Sequence, residues 1–208
     1  MSSDPATRRA FAALALLSLI WGYNWVVMKE VLRYTDPFDF TAIRTLLGAA
    51  SLFVVMLIRG TDMRPVAIRD TILLGLVQTG IFTALIQTAL VTGGAGKTAV
   101  LVYAMPFWLL PLAWLLLGER IRGLQWPAIV LAAAGLILIV EPWSLHGSPV
   151  GTALALAGGI AWACSAIMVK RLRAKHNVEL LPLTAWQMLF GELDLMVDDV
   201  AYRDFDPR

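Results

Sequence analysis

The sequence predicts an all-α membrane protein, a multi-spanning helical bundle in which a five-helix repeat is followed by the start of an inverted second repeat. Three observations carry this prediction. The chain of 208 residues is 59% hydrophobic and only 15% charged, with a mean hydropathy of +0.72, whereas soluble domains average about 25% charged residues. Its apolar residues fall in long uninterrupted runs, apolar all round, where a soluble helix shows one apolar stripe. A stretch near the start of the chain also recurs near its end.

The runs occupy 11–28, 40–58, 71–91, 98–117, 124–140 and 150–169. Each is close to the roughly 17–25 residues that cross the hydrocarbon core as a helix. None has the polar–apolar alternation of a membrane β-strand. The first run follows Arg8 and Arg9; TRRAF at 7–11 resembles a twin-arginine export signal. Such a signal precedes a cleaved, soluble product, but here five more runs follow, so the pair reads as an anchor. The third and fourth runs are joined by GGAGKT at 93–98. That hexapeptide looks like a phosphate-binding loop, but the loop needs a glycine five positions before Gly96, where this chain has Val91. A tight interhelical turn is expected, with Gly93, Gly94 and Gly96 supplying backbone freedom.

Charge gives the orientation. With the N-terminus inside, the inner segments hold Arg8, Arg9, Arg59, Arg64, Arg69, Arg120, Arg122, Lys170, Arg171, Arg173 and Lys175, and the outer ones only Lys29, Arg33 and Lys97. Eleven against three places the N-terminus in the cytoplasm, in a multi-pass protein of the cell (inner) membrane. A net charge of +2 without a basic face argues against nucleic acid as a partner. His146 and His176 lie in different connections, and Cys164 is the only cysteine, so neither a metal site nor a disulfide is expected. Ser18 and Ser165 have no histidine nearby in sequence and suggest no catalytic triad; the chain is not expected to be an enzyme.

The repeat is visible residue by residue. LSLIWGYNWVVMK at 17–29 aligns with GGIAWACSAIMVK at 158–170, matching Trp21 to Trp162 and Lys29 to Lys170. DPFDFTAIRTLLG at 36–48 then aligns with ELLPLTAWQMLFG at 179–191, matching Thr41, Ala42, Leu46 and Gly48 to Thr184, Ala185, Leu189 and Gly191. An odd number of spans per unit turns the second copy over, the inverted construction found in secondary transporters. Residues 1–141 form the first repeat and 150–191 the start of the second. In 192–208 the carboxylates Glu192, Asp194, Asp198, Asp199, Asp204 and Asp206 arrive, each costing about 2.5–3.5 kcal/mol at mid-bilayer. A transmembrane helix is expected to stop near Phe190, leaving an acidic tail foreign to the fold. A natural short variant and a truncated or frame-shifted chain both fit; the repeat favours the second, with an inactive product.

IWGYNWVVMK and DPFDFTAIR within 20–44, GAGKTAVLVYAMPFWLLPLAWLLLGERI at 94–121 and the second-repeat start at 151–191 resemble the EamA-type branch of the drug/metabolite transporter superfamily, over essentially residues 10–191. The resemblance implies two inverted five-helix repeats around a central cavity, and export or exchange of small metabolites, amino acids or drugs by alternating access. It implies no organic cofactor and no ATP hydrolysis. The expected partners are the lipid bilayer and a small-molecule substrate, with a second copy or a complementing chain as candidates to supply what the second repeat lacks.

Polar residues inside membrane helices are the candidate contacts. Trp21, Asn24, Trp25 and Met28 share one helix face, fit either for substrate or for interfacial anchoring and a helix–helix hydrogen bond. Trp25 suits the second. Tyr103, Pro106, Phe107 and Leu110 share another face. Pro106 and Pro111 each remove a backbone donor, giving either a cavity lining or a packing kink. Gln78 and Gln87, nine residues apart, point to opposite sides, so at most one faces a cavity. Arg44 either snorkels outward or forms a cationic vestibule with Lys97. Arg44 and Glu119 lie at opposite membrane ends and cannot pair, so Glu119 is expected to clasp neighbouring loops. The substrate-binding candidates are thus Trp21, Asn24, Gln78, Tyr103 and Phe107. Arg44, Pro106, Pro111 and Glu119 are structural or gating candidates.

Overall fold

A computed structural model describes residues 5–120, 122–140, 148–176 and 178–205, with side chains described at 7–120, 122–138, 148–176 and 178–193. The described residues form seven helical segments and no strand: α1 Pro5–Val31, α2 Pro37–Arg59, α3 Ile68–Thr92, α4 Ala95–Leu117, α5 Gln125–Val140, α6 Pro149–His176 and α7 Leu180–Phe205. The chain is an all-α, multi-spanning membrane protein. Five helices, α1 to α4 and α6, are long and apolar enough to cross a bilayer. With 16 residues, close to the run at 124–140, α5 is about 24 Å long. Residues 141–147, with His146 and most of the outer loop, lie outside the described residues. His176 closes α6 instead of lying in a loop, 3.8 Å from Asp70 at the start of α3.

Local chemistry sets the helix ends. Asp36 caps α2 by accepting a hydrogen bond from the Phe38 amide, Pro37 starts the first turn, and Gly60 ends the helix at φ 63°, a left-handed conformation that glycine adopts without steric cost. The GGAGKT turn has a different basis from the one expected. Gly93 and Gly94 have ordinary negative φ. At Gly93 the constraint is space, since a Cβ would come within 3.0 Å of the Ala89 carbonyl.

Two helices depart from α geometry. Within α3, residues Leu76–Ile81 form a π-helical stretch, an insertion often found at functional sites. α4 breaks at Ala104 (φ −69°, ψ 0°) into Ala95–Tyr103 and Met105–Leu117. Pro106 lacks the amide that would bond back one turn, and the Phe107 amide instead reaches the Ala104 carbonyl at 2.9 Å. Pro111 lies inside the second half.

In the core α6 packs on α3 and α4, and α7 on α2 and the first half of α3. One buried cluster joins Trp25, Met28, Ile86, Leu90, Leu101, Val102 and Ala155; a second, at the other end, joins Leu74, Leu172, Val178 and Leu183. The helix ends alternate accordingly. Lys29 donates to the Leu90 carbonyl at one end, while at the other Lys170 pairs with Glu119 and Arg171 donates to the Leu116 carbonyl at 2.6 Å. Glu119 thus clasps α6 and not a loop. Both partners are exposed, and such pairs contribute about 0.2–1 kcal/mol. Lys170→Ala is therefore expected to lower stability by less than about 1 kcal/mol. Thermal unfolding in detergent checks this, and a larger loss would show that the clasp is not a surface pair.

α7 runs on past Phe190 to Phe205 as one helix. Glu192 is buried, 1% exposed, and its Oε2 has no hydrogen-bond partner among the described residues.

Candidate functional site

Between α1, α2, α3, α4, α6 and α7 lies a half-open cavity of about 470 Å³, within the usual range for small-molecule sites, about 300–1,000 Å³. α1 contributes Ile20, Trp21, Asn24, Trp25 and Met28. α2 contributes Arg44 and Thr45, and α3 contributes Gln78, Thr79, Phe82, Thr83 and Ile86. Tyr103 comes from α4, Trp162 from α6, and Thr184, Gln187 and Met188 from α7. The lining on α3 begins within the π-helical stretch, which presents Gln78 and Thr79 to the cavity.

Aromatic rings set the shape of the wall. Trp162 is their meeting point, with centroids 6.2 Å from Trp21 (stacked), 5.7 Å from Phe82 and 6.3 Å from Tyr103. Tyr103 meets Trp25 edge-on at 5.9 Å, and its hydroxyl accepts the Trp25 indole N–H at 3.0 Å. Trp25 is 9% exposed, so it is a buried strut, not the interfacial anchor its position suggested. The Asn24 amide bonds the Met28 sulfur within its own helix at 3.1 Å.

Four of the five substrate-binding candidates, Trp21, Asn24, Gln78 and Tyr103, line this cavity, and Phe107 does not. The break at Ala104 explains the exception. A face drawn through Tyr103 and Phe107 assumes one unbroken helix, and the register changes between them. Pro106 is exposed beyond the same break. Gln87 turns away from the cavity, 1% exposed, and donates to the Thr41 hydroxyl at 2.7 Å. Arg44, an exposed residue, does not join Lys97. It lines the main cavity with its guanidinium 5.9 Å from the Phe40 ring centroid. Lys97 lines a separate cavity of about 230 Å³ beside Gly93, Gly94 and Ser148.

Sequence reasoning missed Thr45, Phe82, Trp162, Gln187 and Met188 as lining residues. Three of them carried a signal. The repeat alignment sets Trp162 opposite Trp21, and Gln187 and Met188 opposite Arg44 and Thr45, so a wall built from one repeat predicts its counterpart. Among the described residues no cluster of three or more His, Cys, Asp or Glu could hold a metal ion.

Comparison with known proteins agrees with this architecture. The chain is 29% identical over 202 residues to an uncharacterized transporter, YvbV, of Bacillus subtilis, covering 95% of this chain and 64% of that protein. It is 28% identical over 164 residues to the uncharacterized inner membrane transporter YedA of Escherichia coli K12, covering 78% and 53% respectively. It is 28% identical over 205 residues to a probable amino-acid metabolite efflux pump of Salmonella typhimurium, covering 94% and 65%. The chain therefore spans 53–65% of the length of these relatives. No solved structure matches it significantly. Residues 8–141, well over half of the chain, match the EamA-like transporter family, and the chain belongs to that family.

Proposed function

We propose that the chain forms the substrate-holding part of a carrier that exports or exchanges small metabolites across the cell membrane, with its N-terminus in the cytoplasm. The observation that carries this is the cavity itself: about 470 Å³, walled by helices of the first repeat and by α6 and α7 of the second. Inverted repeats facing each other across such a site can rock against one another and open it to alternate sides. A second copy or a complementing chain would close the open side. The relatives named as transporters and as an efflux pump support the same reading.

Orientation is tested by labelling intact cells in a Cys164→Ala background. Ser148→Cys is expected to react with a membrane-impermeant thiol reagent and Thr61→Cys to be protected; the opposite pattern would reverse the orientation. Transport is tested in a full-length relative carrying residues 1–191 of this chain in place of its own. Asn24→Ala and Tyr103→Phe are expected to abolish substrate counterflow in proteoliposomes while the protein still inserts. Loss of the protein from the membrane would instead place both residues in packing, consistent with their bonds to Met28 and Trp25.

A further inference from the structure

We infer that this cavity selects small organic anions, holding a carboxylate on Arg44 and a planar apolar body against the rings of Trp21, Tyr103 and Trp162. The inference rests on the cavity being the ligand site and adds the class of ligand. Among the residues lining it, Arg44 alone carries a charge. Its guanidinium meets the Phe40 ring, and among the described residues no carboxylate lies within ion-pair distance of it. Glu192, the acidic group whose charge acts on it, lies outside the lining. A guanidinium presents its N–H donors in a planar fork that matches a carboxylate.

The aromatic rings of the lining would by themselves suit a cation. A full positive charge in the same cavity outweighs the weaker field of a ring quadrupole at comparable distance, more so where water is scarce. The rings are then left to stack on an uncharged, planar part of the ligand. Trp21 and Trp162 already stack on each other at 6.2 Å, so a flat group can extend the stack at its open face. Asn24, Gln78 and Gln187 contribute only neutral donors and acceptors to the lining.

The test is equilibrium dialysis of radiolabelled benzoate against the full 208-residue chain in a neutral detergent, with empty micelles as the partition control. Benzamide and benzylamine, of nearly the same shape, serve as neutral and cationic competitors. Saturable benzoate binding is expected, displaced at least tenfold better by unlabelled benzoate than by either competitor. Arg44→Gln is expected to weaken it at least tenfold, and Arg44→Lys by less, with helicity by circular dichroism unchanged in both. Benzylamine competing as well as benzoate, or full binding by a folded Arg44→Gln protein, would overturn the anion assignment while leaving the cavity as a ligand site. Binding of none of the three would remove the cavity assignment together with the proposal. Displacement of benzoate by added phosphatidylglycerol, with no preference among the three soluble probes, would show a lipid-headgroup site and overturn it as well.

Discussion

Gly191→Val is expected to separate α7 from α3 and to lower stability by about 3 kcal/mol or more, the upper end of the usual cost of overpacking. At this crossing the two backbones touch. A Cβ on Gly191 would run into the Gly75 carbonyl oxygen and stand 2.6 Å from Thr79 Cβ. One on Gly75 would stand 2.5 Å from the Gln187 carbonyl and 2.8 Å from the Gly191 amide. Backbone cannot swing aside as a side chain can, so the helices must part. Close approach through small residues is how membrane helices gain packing contacts when lipid is as apolar as the interface. The neighbouring control is Gly158, whose added Cβ would meet the tip of the Ile86 side chain at 2.5 Å. Gly158→Ala should cost much less, because that methyl can rotate away. Thermal unfolding in detergent, read by circular dichroism, would show a fall of about 6–12 °C for Gly191→Val. Equal shifts for the two variants would refute the backbone-contact account.

The second large effect is expected at Trp162. Its ring contacts Trp21, Phe82 and Tyr103. Aromatic pairs contribute roughly 0.5–1.5 kcal/mol each beyond their area, so Trp162→Ala should cost about 2–4 kcal/mol and leave the cavity without the ring that ties α6 to α1, α3 and α4. Ligand binding should fall more than tenfold. Trp162→Phe keeps an aromatic face and should recover most of the stability and part of the binding. An alanine variant that binds normally would show that this ring is packing only.

The spans and four of the cavity residues were legible because they depend on periodicity, and periodicity survives without coordinates. What escaped depends on events that interrupt it. The face through Tyr103 and Phe107 failed at the break beside Pro106; the prolines announced a kink but not which residues it would part. The pairing of Arg44 with Lys97 failed because the two line different cavities, and neither cavity can be seen along one strand of sequence. The burial of Glu192 was hidden for the same reason, since a carboxylate read along the chain gives no sign of the helices packed around it. The Gly75–Gly191 crossing left only the match of Gly48 to Gly191 as a trace.

The stacking of Trp21 on Trp162 sets side by side two residues that the internal alignment matches to one another. Position 44 is arginine and its aligned counterpart 187 is glutamine, and both line the same cavity. Where one of two matched positions is charged and the other neutral, the lining is asymmetric, and a ligand with two unlike ends has only one way to lie.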